Sequence, residues 1–283
     1  MRWKDMRRSD NVEDRRGMPM GGAGLKLGGG GLLLIVVLSL LTGTNPLDIL
    51  SGLEESAPPS IDSGPERKPP ADDAQADFIR AILGDSEDTW SRLFEQGGGT
   101  YEPPRLVLFS GAVQSACGQA SAAVGPFYCP PDRRVYLDLG FFRELSERFG
   151  APGDFARAYV VAHEIGHHVQ NLLGTSERVQ QQRSRMDQAG ANALSVRLEL
   201  QADCYAGVWG FSAARRNILE PGDVEAALAA ATAIGDDRLQ KQSRGYVVPE
   251  SFTHGSSAQR VKWFRTGLES GDVRRCDTFA ARP

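Results

Sequence analysis

The sequence predicts an α+β fold that is mainly helical with a small β-sheet. Two short segments, 105–109 and 135–139, are apolar or alternating and are bounded by turn residues, a pattern typical of strands. Beyond residue 140, apolar residues recur at helical spacing instead. The breaks between these helical segments fall at Gly174, Pro221 and Gly235. Because helices dominate over a small sheet, the α+β class follows.

Five helices are predicted in this second part of the chain. They span about 141–149, 154–173, 176–218, 222–234 and 256–269. Ahead of the first strand, residues 74–96 also show helical spacing. That spacing is interrupted near Gly84, where Asp85 or Ser86 can start a second helix, so two helices are expected there.

Composition and charge bound the class of protein. The 283 residues carry a formal net charge of -4, which gives no broad basic field and argues against nucleic acid as the main partner. A hydrophobic content of 41% and a charged content of 24% are ordinary for a globular domain that buries a core. The first hundred residues look unlike the rest, so one folded domain preceded by a leader is expected.

A membrane anchor is predicted at residues 27–44, because this apolar segment is about as long as the roughly 17 to 20 residues that a spanning helix needs. A cleaved signal peptide is the main alternative, and a buried helix is the third. Basic residues cluster before the segment, so the positive-inside rule makes 1–26 a cytoplasmic leader. Residues 45–73 are expected to be a disordered linker to a domain over 74–283. The expected protein therefore crosses the inner membrane once and exposes its domain to the periplasm or another extracytoplasmic space.

The four cysteines are expected to form disulfides in such an oxidising space. Cys117 and Cys129 bracket a short loop and are the favoured pair, which leaves Cys204 and Cys276 as the second. Three connectivities exist, and sequence alone does not choose among them. No CxxC pair is present, so a cysteine-only zinc site is disfavoured.

The predicted helix at 154–173 carries the segment His163-Glu164-Ile165-Gly166-His167. Histidines four residues apart lie on one helix face about one turn apart, so both imidazoles can bind one zinc ion. Glu164 lies between them, where a carboxylate can act as general base toward an attacking water. A chance cluster on a surface helix is the alternative. The HExxH pattern on a helix favours the metal site.

A third ligand is expected from the next long helical segment. Glu199 and Asp203 are four residues apart among apolar neighbours, so they share one helix face directed at a partner. Glu199 is the candidate ligand for one zinc ion per chain. Asp203 is expected to accept the outer N–H of a ligating histidine and so fix its tautomer. The alternative is a solvated acidic helix face.

The two remaining histidines receive different expectations. His168 follows His167 directly and points about 100° around the helix, so it is expected to be structural. His254 lies in a polar turn before the last helix. It is either a helix-entry residue or a donor that stabilises the oxyanion formed when water attacks a carbonyl.

These motifs resemble known proteins. The HExxH segment with Glu199, Ala202 and Asp203 is similar to the gluzincins, in which a downstream glutamate completes the zinc site. More narrowly, the chain resembles the bacterial putative neutral zinc metallopeptidases through four motifs, SACG (115–118), GPFYCP (125–130), HEIGHHVQ (163–170) and ELQADCYAGVW (199–209). The resemblance spans nearly the whole chain. It implies a zincin-like fold, zinc, membrane association and peptide-bond hydrolysis.

The turn Thr253-His254-Gly255, followed by a helix with Arg260, resembles a segment of membrane-linked zinc endopeptidases related to the prenyl-protein proteases. In those relatives a histidine stabilises the tetrahedral intermediate, which favours the catalytic role of His254. They also carry several membrane spans, whereas this chain has one candidate span. Soluble or membrane-proximal substrates are therefore expected.

Together these features predict a zinc metalloendopeptidase that hydrolyses extracytoplasmic proteins or peptides, with Glu164 and His254 as catalytic residues. By analogy with zincins, strand residues near 135–139 are expected to pair with an extended substrate. Two other functions stay open. One is a zinc-stabilised binding or chaperone-like protein without turnover, and the other is an amidase acting on cell-wall material.

Overall fold

A computed structural model describes residues 1–18 and 67–280. Within these residues one sheet has four strands, in the order β1 (Val12–Asp14), β2 (Arg105–Phe109), β6 (Arg134–Asp138) and β5 (Phe127–Cys129). A separate hairpin joins β3 (Ala112–Ser115) and β4 (Gly118–Ser121). The strands predicted at 105–109 and 135–139 are β2 and β6. The other strands are only three or four residues long, too short for a periodic pattern to predict.

The sheet is mixed, and its strand order bears on the site. β1, β2 and β6 are parallel, whereas β5 is antiparallel to β6. β6 therefore has a neighbour on each side, and the prediction that residues 135–139 pair with a substrate is wrong. On that side β5 is the edge strand of the described sheet.

Eight α-helices are described, and they bear out a mixed α+β class that is mainly helical. They are α1 (Ala74–Gln96), α2 (Gly140–Glu147), α3 (Asp154–Leu172), α4 (Thr175–Arg183), α5 (Gln188–Arg215), α6 (Asp223–Ala233), α7 (Asp236–Arg244) and α8 (Ser257–Ser270). The single helix expected at 176–218 is two helices, because Asp187 caps a new start by accepting a hydrogen bond from the Gly190 amide. The polar helix α7 had no apolar stripe to predict it.

Gly84 does not divide the first helix. α1 runs through it without a break, so the prediction of two helices there is wrong. A β-carbon on Gly84 would lie 2.6 Å from the carbonyl oxygen of Arg7. The glycine is therefore explained by the close approach of the amino-terminal segment and not by a helix end.

Residues 1–18 are part of the same folded body as residues 67–280. β1 pairs with β2 over three residues, beginning with Val12 opposite Leu106. The indole nitrogen of Trp3 donates a 2.9 Å hydrogen bond to Asp154 at the start of α3. The Arg8 guanidinium forms two 2.7 Å hydrogen bonds with the Asp77 carboxylate in α1.

This packing corrects the predicted membrane topology. A leader on the cytoplasmic side of a membrane cannot form a β-ladder with a domain on the other side, so the single-pass arrangement with a cytoplasmic 1–26 is wrong. None of the helices in the described ranges is long and apolar enough to cross a bilayer. The predicted anchor at 27–44, and the part of the predicted linker at 45–66, lie outside the described residues.

Two disulfides are present, Cys117–Cys129 and Cys204–Cys276, with Cα–Cα distances of 5.8 and 5.6 Å. The first joins the β3–β4 hairpin to β5. The second joins α5 to a short 3₁₀ segment, Val273–Cys276, after the last helix. The two disulfides therefore anchor β5 and α5, two of the elements that form the candidate metal centre and its cleft, described next.

Candidate metal centre

The helix α3 is the centre of the fold and is buried along most of its length. It packs against α5 by way of Gly166, whose added β-carbon would lie 2.9 Å from the carbonyl oxygen and 3.0 Å from the Cα of Ala202. Only a glycine permits this approach. Glu199 and Asp203 flank Ala202 along α5, so the contact brings both acids to the histidine face of α3.

His163, His167 and Glu199 form the one group among the described residues that could hold a metal ion. Their candidate ligand atoms all lie within 4.8 Å of one another. The Nε2 atoms of His163 and His167 lie 3.1 and 3.3 Å from the two carboxylate oxygens of Glu199. Two imidazole nitrogens and a carboxylate oxygen are a donor set that suits zinc.

The outer nitrogen of His163 faces a buried network. Its Nδ1 lies 2.9 Å from Oδ1 of Asp203, which is fully buried. Asp203 also accepts hydrogen bonds from the Tyr159 hydroxyl at 2.5 Å and from two nitrogens of Arg260 at 2.9 Å each. Because Asp203 can only accept while ionised, it keeps a proton on Nδ1. Nε2, the nitrogen that faces Glu199, is therefore the atom that releases its proton when a metal binds.

The outer nitrogen of His167 has a different partner. Its Nδ1 lies 2.9 Å from Oε1 of Gln170. The amide nitrogen of Gln170 donates to the Leu198 carbonyl oxygen at 2.6 Å, and a carbonyl can only accept. The Gln170 oxygen must therefore be the atom that faces His167. His167 donates through Nδ1, and its Nε2 is also free to bind a metal.

Burial and charge set the ionisation of these acids. Burial alone would raise the pKa of the Asp203 carboxyl, but Arg260 and His163 hold that pKa at about 2. Burial would likewise raise the pKa of Glu199, yet His167 and His163 keep it well below its usual range. Both carboxylates are therefore ionised, as a cation site and a proton-accepting partner require.

Glu164 differs from both of these acids. Its side chain is buried, and its Oε2 has no hydrogen-bond partner among the described residues. Burial raises the pKa of Glu164, although His163 and His167 act in the opposite direction. An unpartnered buried carboxylate oxygen is costly, so its presence beside the ligand group favours a functional role.

His254 is held in place by Asp236, the first residue of α7. Oδ2 of Asp236 accepts the backbone amides of Thr253, His254 and Gly255 at 2.7, 2.6 and 3.0 Å. Its Oδ1 lies 3.2 Å from Nδ1 of His254, and this contact raises the pKa of the imidazole. The His254 side chain is 52% exposed and lines the cleft described next.

A cleft of about 1270 Å³ runs past these residues. Its lining contains His163, Glu164, His167, Glu199 and His254, so the structure brings together every predicted ligand and catalytic residue. Asp203 lies behind it. The lining also includes a set of apolar and aromatic side chains: Val124, Phe127, Tyr128, Phe141 and Phe149.

His168 points away from the ligand group. It is fully buried, and burial lowers the pKa of its imidazole to about 4. Its partners are the Tyr128 hydroxyl and the Glu102 carbonyl oxygen. The prediction that it is structural agrees with this position.

Several residues of the site were not predicted. No role in the site is predicted for four residues that contact it: Tyr159, Gln170, Asp236 and Arg260. One signal was available, because Tyr159 precedes His163 by four residues and so lies on the same helix face. Gln170 offered a similar signal, because it follows His167 by three residues on the same helix. The Asp236 contact depends on tertiary packing and has no such local signal.

Comparisons with known proteins agree with this geometry. Residues 1–279 match the family described as putative neutral zinc metallopeptidase. The Escherichia coli protein named uncharacterized protein YpfJ is 51% identical over 285 residues, which cover 99% of each chain. The Mycobacterium bovis protein named uncharacterized protein Mb2605 is 52% identical over 192 residues, or 64% of each chain. No solved structure matches the chain. With a match over nearly its whole length, the chain belongs to the putative neutral zinc metallopeptidase family.

Proposed function

We propose that this chain is a zinc-dependent endopeptidase with a zincin-like site, which hydrolyses peptide bonds of protein or peptide substrates. One zinc ion per chain would be held by His163, His167 and Glu199. The observation that carries the proposal is the buried, unpartnered Oε2 of Glu164 beside this group. A carboxylate in that position has a water and its proton as natural partners.

Zinc, when bound, would supply Lewis-acid chemistry, since it lowers the pKa of a coordinated water to about 7. The side chains carry the proton transfers. Glu164 accepts a proton from the attacking water and passes it to the leaving amine. Asp203 and Gln170 keep both histidines in the tautomer whose Nε2 lone pair faces the site.

His254 is proposed as the donor to the oxyanion that develops when water attacks the carbonyl. It lines the same cleft as Glu164, and Asp236 fixes both its backbone and its ring. A donor held in advance stabilises the developing charge without reorganising during the reaction.

The cleft supports an extended polypeptide as substrate. Its volume of about 1270 Å³ exceeds the roughly 300 to 1,000 Å³ of common small-molecule pockets. The edge strand β5 contributes Phe127 and Tyr128 to its lining. A substrate backbone added beside β5 would gain main-chain hydrogen bonds, which are independent of substrate sequence.

The alternative of a structural zinc clamp needs a fourth protein ligand to close the site. Cys204, the nearest candidate in sequence, is bonded to Cys276 instead. The group that the described residues offer therefore has three ligands and fits a site with an open position.

The test compares the full-length protein with Glu164→Gln, since residues 1–18 belong to the fold. Bound zinc is counted, and cleavage of unfolded casein and of purified peptidoglycan is followed side by side. We expect unchanged zinc and a loss of casein cleavage of about 10² to 10⁴-fold. Glu144→Gln, an exposed acid that also lines the cleft, is the matched control and should retain activity.

Three outcomes would contradict the proposal. Full zinc content with unchanged casein cleavage in Glu164→Gln would remove its role as general base. Cleavage of peptidoglycan amides without cleavage of casein would favour the cell-wall amidase, whereas bound zinc with neither activity would favour the binding protein.

A further inference from the structure

The edge strand β5 is joined to the metal-binding helix α3 by side-chain hydrogen bonds. The Tyr128 hydroxyl lies 3.0 Å from Nδ1 of His168 and accepts a 3.0 Å hydrogen bond from the Asn171 amide nitrogen. His168 directly follows the candidate ligand His167 in the chain. The strand that lines the cleft is thus tied to the residue adjacent to a ligand.

We infer that His168 and Asn171 are positioning residues, which hold β5 through Tyr128 at a fixed distance from the metal ligands. The inference rests on the proposed function and deepens it, because it assigns a substrate-aligning role to residues outside the ligand set.

The groups at the two ends of this hydrogen-bonded chain, the Glu102 carbonyl oxygen and the Asn171 amide nitrogen, determine the direction of each hydrogen bond in it. Nε2 of His168 lies 2.6 Å from the Glu102 carbonyl oxygen, which can only accept. In the neutral ring the proton is therefore on Nε2, and Nδ1 is an acceptor. The Tyr128 hydroxyl donates to Nδ1 and accepts from Asn171, so each group has one defined role.

The link is enclosed, and its geometry is consequently restricted. His168 is fully buried between the rings of Tyr101 and Tyr128, at centroid distances of 5.7 and 5.4 Å. Hydrogen bonds in such an environment are stronger than hydrogen bonds in water. A side chain fixed in this way transmits the position of α3 to β5.

The next residue of β5 is fixed independently. Cys129 is fully buried and is bonded to Cys117 of the hairpin turn. The disulfide connects β5 to the hairpin, whereas Tyr128 connects it to α3. Tyr128 is thus a direct side-chain connection between the substrate edge and the helix that carries two of the ligands, and Asn171 adds a 3.4 Å hydrogen bond to the Pro130 carbonyl oxygen just after β5.

If Tyr128 positions β5 in this way, removing its hydrogen bonds should affect long and short peptide substrates differently. A long peptide that pairs with β5 needs the strand and the metal centre within about 0.5 Å of their productive separation. A short peptide that ends before β5 needs only the metal centre. Removing the Tyr128 hydrogen bonds should therefore weaken the binding of long peptides and leave the binding of short peptides unchanged.

The test uses Tyr128→Phe, which removes the shared hydroxyl and retains the ring. We expect the KM of a long peptide to rise about 2- to 10-fold, the range that the net contribution of one ordinary hydrogen bond gives. The kcat for that peptide, the kcat/KM of a short peptide and the zinc content should stay unchanged. Asn171→Ala should reproduce the effect in part.

Tyr101→Phe is the matched control. The Tyr101 ring also contacts this imidazole, and its hydroxyl has no hydrogen-bond partner within the described residues. Removing the Tyr101 hydroxyl should leave the KM and kcat of both the long and the short peptide unchanged. Equal losses for long and short peptides in Tyr128→Phe, or the same length dependence in Tyr101→Phe, would overturn the inference.

A second readout separates this inference from the proposed function. Amide hydrogen exchange of β5 is measured on the Glu164→Gln protein with and without Tyr128→Phe, and faster exchange at 127–129 is expected. If the wild-type protein cleaves no peptide, the proposed function fails. Unchanged β5 exchange overturns the positioning role whether or not cleavage occurs.

Discussion

Gly166 of α3 and Ala202 of α5 lie so close that a β-carbon on the glycine would approach the alanine carbonyl oxygen to 2.9 Å. This contact sets the separation of the two helices that carry all three candidate ligands. The obstacle is backbone, which cannot rotate away as a side chain can. The ligand geometry thus depends on the absence of one methyl group.

Gly166→Ala should therefore separate α3 from α5 and weaken metal binding. We expect destabilisation of about 1 to 3 kcal/mol from overpacking, and a loss of zinc affinity. Denaturant unfolding and zinc competition titrations measure the two effects. Gly210→Ala is the control, because its β-carbon would meet the side chains of Leu268 and Phe155, which can move. Equal zinc affinity in Gly166→Ala and wild type would contradict the prediction.

Asp203→Asn should lower both the stability of the protein and its affinity for zinc by more than a change of one formal charge suggests. Arg260 is 3% exposed and makes both of its 2.9 Å contacts to this carboxylate, so the variant leaves a buried charge without its counter-ion. Breaking such a pair costs about 3 to 5 kcal/mol. Replacing the charged partner of His163 by a neutral amide oxygen should also lower metal affinity, by up to about 10- to 100-fold.

Tyr159→Phe provides the comparison for Asp203→Asn. It removes a single neutral donor to the same carboxylate, so a cost of about 1 kcal/mol is expected in the same unfolding assay. A similar loss of unfolding free energy in the two variants would mean that the buried Asp203–Arg260 ion pair stabilises the protein no more than one neutral hydrogen bond does.

The pH dependence of activity should contain a limb set by His254. Asp236 raises the pKa of His254, so the cationic form persists above the ordinary imidazole pKa of about 6.5 and is lost as pH rises through the raised value. If the cation is the oxyanion donor, kcat/KM falls over that interval. Asp236→Asn keeps an oxygen for the three backbone amides but removes the charge, and should move the fall to lower pH. An alkaline fall in kcat/KM at the same pH in both proteins would exclude His254 as the group whose titration causes it.

Deleting residues 1–18 should destabilise the domain. The deletion removes β1 and exposes the edge of β2, and it strips Asp77 and Asp154 of their Arg8 and Trp3 partners. A lower Tm and aggregation through the exposed strand are expected in thermal unfolding and size-exclusion chromatography. Lys4→Ala, at an exposed position of the same segment, is the control. A shortened protein with wild-type Tm would show that β1 adds nothing to stability.

The two disulfides should differ in their response to a mild reductant. Cys117 is exposed, whereas Cys204 and Cys276 are fully buried, so a thiolate can reach the first bond more easily. Alkylation followed by mass spectrometry should find Cys117 and Cys129 labelled first. Simultaneous labelling of all four cysteines would contradict this order.

The sequence predicted the parts of the protein whose signals are local. Periodicity located the long helices, and HExxH with Glu199 predicted a ligand set that the structure brings into one cleft, with Asp203 behind it. What it missed depends on contacts between distant segments. Gly84 has the form of a helix break, yet it permits the approach of Arg7. The basic residues before 27–44 fit the positive-inside rule, yet Arg8 forms an ion pair with Asp77 in α1.

The parallel pairing of β1 with β2 also has a consequence for the order of folding. Asp14 and Arg105 are about 90 residues apart, so at roughly 5 to 20 residues per second β1 leaves the ribosome about 5 to 20 s before its partner strand. Contacts between segments so far apart form slowly, because a large loop must close first. Among the described strands β1 is synthesised first, and we expect it to join the sheet late.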